Sequence, residues 1–210
     1  MQTLMAVFLI SIVPISLIKF KIIPAKFRLF ILFLVFVWVS FALYFQGTPI
    51  KELGIRLDNL YPAIIFYTGA TAGVILFFTI LSKILKNKVA KKWHKDPHFL
   101  FLFIPISIAQ QVLFQCYILL SLEKVLPLFV SITITALIFG YMHTIYPRPI
   151  LSMFLGTCGG LLFATLYTFY PNFLLASISH SILNFIAVYF GFFTFINKAG
   201  LPKETEIYSK

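Results

Sequence analysis

The sequence predicts an all-α, polytopic transmembrane helix bundle of about seven spans. Of its 210 residues, 60% are hydrophobic and only 11% are charged. The mean hydropathy is +0.98. The apolar residues gather in runs of near-membrane length, separated by short basic stretches. A soluble domain is about half apolar and about a quarter charged, so this chain has too little polar surface to cover a core in water. A single integral membrane domain over 1–210 is expected, with 197–210 read as a flexible cytoplasmic tail.

A bilayer core about 30 Å thick takes roughly 20 apolar residues per helix. Runs that qualify lie near 3–18, 29–45, 61–85, 99–122, 125–143, 149–167 and 171–196. The first is short and holds Pro14. No Lys or Arg precedes it and no small-residue cleavage site follows, so it reads as a span rather than a signal peptide. All of the 17 basic residues except Lys51, Arg56 and Lys124 fall on one side of the alternating spans. The positive-inside rule then predicts an outside N-terminus and a cytoplasmic C-terminus. Short loops sorted this cleanly fit a multi-pass protein of the cell membrane, with a bacterial inner membrane the expected location.

The same sorting accounts for the net charge of +11 and removes nucleic acid as a partner, because no basic stripe interleaves with aromatic residues. The loop 47–60 (GTPIKELGIRLDNL) reads as a short interfacial segment, and 83–95 as a solvated lysine-rich loop. Cys116 and Cys158 sit inside apolar runs and form no CxxC pair. Gly156, Gly159 and Gly160 in the sixth run predict close helix packing.

Polar residues at membrane depth are costly and must face a partner or a cavity. None of the six carboxylates lies deep in a span; Glu123 comes nearest, at a span end. The fourth run carries Gln110, Gln111 and Gln115 in AQQVLFQ. An α-helical wheel puts Gln111 and Gln115 on one face, Gln110 to one side, and Cys116 about 140° from Gln111. The fifth run ends in FGYMH, with Phe139 and His143 one turn apart. The seventh holds HSILN, with His180 and Asn184 on one face and Ser177 a turn earlier. Taken singly, each group reads as interhelical packing.

Taken together, in this order, the three groups resemble the CPBP family of intramembrane proteases. That family includes type II CAAX prenyl endopeptidases and bacteriocin-processing or self-immunity proteins. Its pattern is EExxxR, then FxxxH, then HxxxN or HxxxD. FxxxH is met here by Phe139 and His143, and HxxxN by His180 and Asn184. The resemblance covers roughly 98–196, and the loop from Leu53 to Arg56 is also similar to family members. It implies a glutamate that activates water, a second glutamate and the FxxxH histidine that position it, and an oxyanion hole from the HxxxN pair. At the EExxxR positions this chain has Gln110, Gln111 and Gln115. His143 would orient the water, and His180 with Asn184 would form the oxyanion hole. Phe139 and Ser177 would line the substrate path. No third ligand joins His143 and His180, so neither a metal nor another cofactor is expected.

A carboxamide has no usable basicity near neutral pH, and loss of a general base costs about 10²- to 10⁴-fold in rate. An arginine left beside two lost carboxylates would be an unpaired buried cation, so the joint change of all three positions reads as coordinated loss of a charged site. The leading expectation is a catalytically impaired homologue that binds a membrane-anchored or lipidated peptide, or a partner membrane protein. Two alternatives stand beside it: an active endopeptidase with His143 or His180 as base, and an unrelated transporter-type subunit. Cys116 as a nucleophile paired with histidine is disfavoured by its angle on the wheel.

Overall fold

The computed structural model describes residues 2–87, 89–90, 101–146 and 148–193, and among them every regular element is helical. The helices are α1 (Gln2–Lys19), α2 (Arg28–Phe45), α3 (Leu60–Ile84), α4 (Phe103–Glu123), α5 (Leu128–Met142), α6 (Pro149–Phe169) and α7 (Phe173–Tyr189). A short 3-10 turn leads into α2 and another, His143–Ile145, extends α5. The first six, with these extensions, are long and apolar enough to cross a membrane. The protein is therefore a multi-pass membrane helix bundle. The interruptions sit where local chemistry puts them. Pro149 opens α6, where a missing N–H costs nothing, and the Asn172 side chain caps α7 by accepting from the Leu175 N–H at 3.0 Å.

The seventh expected run, 171–196, forms a helix of only 17 residues. It stops because Gly191 takes φ +69° and the Phe192 N–H turns back to the Ala187 carbonyl at 2.9 Å, a left-handed C-terminal cap. Phe192 and Phe193 then point inward, and the Phe193 ring lies 5.0 Å from that of His143. Burial of two aromatics thus replaces the last turns of a span. Residues 194–196 and the tail 197–210 lie outside the described residues, as do Lys88 and 91–95 of the lysine-rich loop. Within that loop Ala90 is fully buried and its N–H bonds the Tyr189 carbonyl at 2.9 Å, so this part docks on α7 rather than lying in solvent.

Hydrogen bonds gather the connections at two opposite ends. At one end Arg148 bonds Asn87 at 2.9 Å, beside the start of α6 and the end of α3. At the other, the loop between α2 and α3 folds onto the α6–α7 turn. The Phe173 N–H reaches Gly54 O at 2.9 Å, Asn172 reaches Arg56 O at 3.1 Å, and Tyr167 reaches Leu53 O at 2.6 Å. Asp58 in this loop is held well below the usual carboxylate range by hydrogen bonds from Arg56, with Lys51 at 3.2 Å. The segment read as interfacial is clamped on the bundle end. Gly54 has φ +67° there, and a Cβ would sit 2.6 Å from the Tyr167 hydroxyl.

The bundle is organised around α4, the most enclosed of the spans. Its middle, Val112–Leu119, is π-helical, starting immediately after Gln111. Such stretches are rare and concentrate at functional sites. Leu113 through Leu119 are all buried, so this stretch meets protein all around its circumference. Against it, α5 and α6 approach closely through glycine. A Cβ on Gly156 would lie 2.8 Å from His143 Nδ1, and one on Gly160 would lie 2.8 Å from the Ala136 Cα. Gly159, grouped with them in the sequence, would meet nothing nearer than 4.0 Å.

Gly160→Ala should therefore destabilise the detergent-solubilised protein by about 1–3 kcal/mol through overpacking. Gly159→Ala should leave the thermal midpoint close to that of the parent, and equal losses from both would contradict the packing described here.

Candidate functional site

Gln110 and Gln111 occupy the last turn of regular α-helix before the π-helical stretch of α4, and both face α7. The Asn184 Nδ2 group donates to Gln110 Oε1 at 3.1 Å and to Ser107 Oγ at 3.0 Å, using both of its hydrogens. Gln111 is 1% exposed, and its carboxamide nitrogen lies 2.8 Å from His180 Nδ1. With the amide placed nitrogen-first, Gln111 donates to His180 Nδ1, so the ring carries its proton on Nε2. His143 has the opposite arrangement. Its Nδ1 lies 2.8 Å from the Phe139 carbonyl, which can only accept, so Nδ1 donates and Nε2 keeps a lone pair.

The two histidines are packed by aromatic rings. Phe139 lies between them, with its centroid 4.7 Å from His143 and 5.5 Å from His180, and Phe163 covers His180 at 4.8 Å. His143, His180, Asn184, Phe139 and Gly156 line a common cavity of about 110 Å³ between α3, α5, α6 and α7. Among the described residues, neither Asp, Glu, Lys nor Arg lines it. The site thus combines neutral donors and acceptors in an apolar wall. Gln111 Oε1 and Gln115 Oε1 are buried without a hydrogen-bond partner, an arrangement that costs about 1–3 kcal/mol per group in the absence of a donor.

The expected residues fall into two sets. Gln110, Gln111, His143, His180 and Asn184 come together, and Phe139 supports both rings. Gln115 is buried at 2% exposure but makes no bond to either histidine. It follows the onset of the π-helical stretch, which winds less per residue than an α-helix, so the wheel drawn from Gln111 does not hold there. The same change of winding voids the angle assigned to Cys116. That thiol lies 3.4 Å from the Tyr167 hydroxyl and 3.7 Å from Leu53 O, beside the clamped loop. Ser177 lines a separate groove of about 430 Å³ between α4 and α7, with Ile108 and Ser181, and not the histidine cavity.

Ser107 and Phe163 belong to the site and were missed by the sequence reading. Ser107 had a readable signal, since it precedes Gln110 and Gln111 by three and four residues on a helix. Phe163, one of 26 phenylalanines, had none.

Exchange of Gln111 for glutamate should reverse the tautomer of His180. A carboxylate only accepts, so the ring proton moves to Nδ1 and Nε2 becomes the basic atom. Imidazole ¹⁵N shifts of the parent and of Gln111→Glu check this, and an Nδ1-protonated ring in the parent would reverse the amide placement.

Residues 93–186 match the family model described as Rce1-like, type II CAAX prenyl endopeptidase. Neither a curated protein nor a solved structure matches the chain. The matched stretch contains Gln110, Gln111, Gln115, Phe139, His143, His180 and Asn184, so the residues that carry the motif resemblance are those that the match covers. The membrane bundle described here, over residues 93–186, is a match to the Rce1-like type II CAAX prenyl endopeptidase family, consistent with the CPBP proteases.

Proposed function

We propose that this CAAX-protease-like membrane protein is a catalytically impaired family member that binds a membrane-anchored peptide, or a partner membrane protein, in its histidine cavity. One observation carries the reading. The two positions that the motif resemblance aligns with the family's glutamate pair hold carboxamides that face His180 and Asn184, and no carboxylate among the described residues lines the cavity. A neutral amide cannot take a proton from water, whereas an extended backbone offers the N–H and C=O groups that the Nε2 atoms of His143 and His180 can meet. Both Asn184 hydrogens are engaged, so Asn184 would have to release Ser107 or Gln110 to donate to an oxyanion. The site as built favours holding a ligand over stabilising developing charge.

A second reading rests on the histidine tautomers. His143 Nε2 has a lone pair and His180 Nε2 carries a proton, and both rings line one cavity. Water could give its proton to His143 while its oxygen adds to a scissile carbonyl, with the His180 N–H facing the oxyanion. The same proton would then pass to the departing amine. This is the active-endopeptidase alternative, with His143 as base. The transporter-type alternative has no such observation behind it. As for location, we place the protein in a cell membrane, with the end bearing Lys19, Lys21, Lys26, Arg28 and Arg148 on the cytoplasmic side.

The test uses the full chain in liposomes with membrane-anchored reporter peptides, beside a Gln110→Glu, Gln111→Glu, Gln115→Arg triple variant and His180→Ala. The expected outcome is product from the triple variant only, at least about 10²-fold above the parent by mass spectrometry. Cleavage by the parent that His180→Ala removes would overturn the impaired reading in favour of the histidine base. On the binding side, His143→Ala should weaken peptide capture without releasing product.

A further inference from the structure

Arg28 opens α2, and by sequence it belongs with the loop lysines that mark topology. The structure puts its guanidinium against a second cavity of about 100 Å³, formed by α1, α2, α4 and the end of α5. Its Nη1 is buried and has no hydrogen-bond partner among the described residues. The guanidinium carbon lies 5.5 Å from the Tyr146 ring centre, which covers the group without neutralising it. No Asp or Glu among the described residues lines the cavity. Its remaining wall is almost wholly aliphatic, including Ile15, Leu32 and Leu113, with Gln110 and His143 at the inner end. Leu29, 38% exposed, is part of the wall and leads out to the surface of the bundle.

A guanidinium donor removed from water with no acceptor is unfavourable unless an anion meets it, and a planar fork matches carboxylate or phosphate oxygens. A strongly hydrated free anion gains little from an aliphatic wall. We infer that this cavity is a binding site for an anionic amphiphile, with a carboxylate or phosphate head on Arg28 and an aliphatic stem among the side chains of α1 and α2. The space equals about three water volumes, so it takes the head and the first carbons, and the rest of the chain leaves past Leu29 into the surrounding lipid. Lys19 and Lys26, near the same end, raise the local concentration of anions. His143 lines this cavity and the histidine cavity alike, so an occupant would press on the site from behind. The inference holds whether or not the protein cuts peptide bonds.

The test is native mass spectrometry of the full chain, delipidated in a non-ionic detergent, with dodecyl phosphate, laurate, methyl laurate and inorganic phosphate as separate probes. Dodecyl phosphate or laurate should bind at least about tenfold more tightly to the parent than to Arg28→Gln, the loss expected for one charge-assisted hydrogen bond. Arg28→Lys should retain part of the affinity, and methyl laurate should bind no more tightly than it does to Arg28→Gln. Val35→Phe, which fills the cavity and keeps the arginine, should also lose the amphiphile, while thermal melts of each variant show that it is folded. Equal binding of the neutral ester, or an unchanged affinity in folded Arg28→Gln, overturns the proposal. Inorganic phosphate binding as tightly as dodecyl phosphate overturns the amphiphile and leaves a simple anion site. Tighter binding by a Glu204→Gln, Glu206→Gln variant would assign Arg28 to the chain's own tail and overturn it as well.

Discussion

Two side-chain pairs, Gln110 with Asn184 and Gln111 with His180, join the central helix to α7, with Gln110, Gln111 and His180 buried and Asn184 partly buried. Each pair is neutral, so neither demands a counter-charge in hydrocarbon, and each closes hydrogen bonds that would otherwise be lost. Much of the surrounding structure serves this junction. Phe139 and Phe163 wall the histidines, Gly156 leaves room for the His143 ring, and Ser107 takes the second Asn184 hydrogen. A carboxylate pair at the same positions would need a cation close by. Gln115, buried further along the same helix, is neutral as well, so the polar groups of α4 here carry no charge.

The π-helical stretch explains how α4 can be buried on every side and still aim two adjacent residues at one partner. Regular α-helix gives way after Gln111 to the π-helical stretch, so side chains of that stretch meet α2, α5 and α6 in turn. Gln115 is separated from the histidines by this change, while Cys116 is delivered to Tyr167 and the clamped loop. The clamp matters for the same reason. It ties Leu53, Gly54 and Arg56 to Tyr167, Asn172 and Phe173, which fixes the start of α7 relative to α6 and hence the height of His180 against Gln111.

Much of the candidate site was legible before any coordinates. Gln110, Gln111, His143, His180 and Asn184 announce themselves because polar side chains inside apolar runs are expensive and their one-turn spacings are local. The limits of that logic are equally physical. Helical wheels assume one winding angle, so Gln115 and Cys116 were placed by a rule that α4 does not obey past Val112. Ser177 was assigned to the site because it lies a turn before His180, yet it lines a different groove. Arg28 looked like a topology marker because charge sorting treats every basic residue near a span end alike.

The sequence by itself determined the class of solvent, the number and approximate limits of the helices, and which polar residues had to find partners. All of these follow from transfer costs summed over short stretches of chain. Tertiary structure decided the rest: which amide meets His180 and which meets Asn184, the hydrogen bond each histidine ring makes, the premature end of α7 at Gly191, and the cavity that Arg28 and His143 both line. Those outcomes depend on contacts between residues distant in the chain, and the local costs along one helix leave them open.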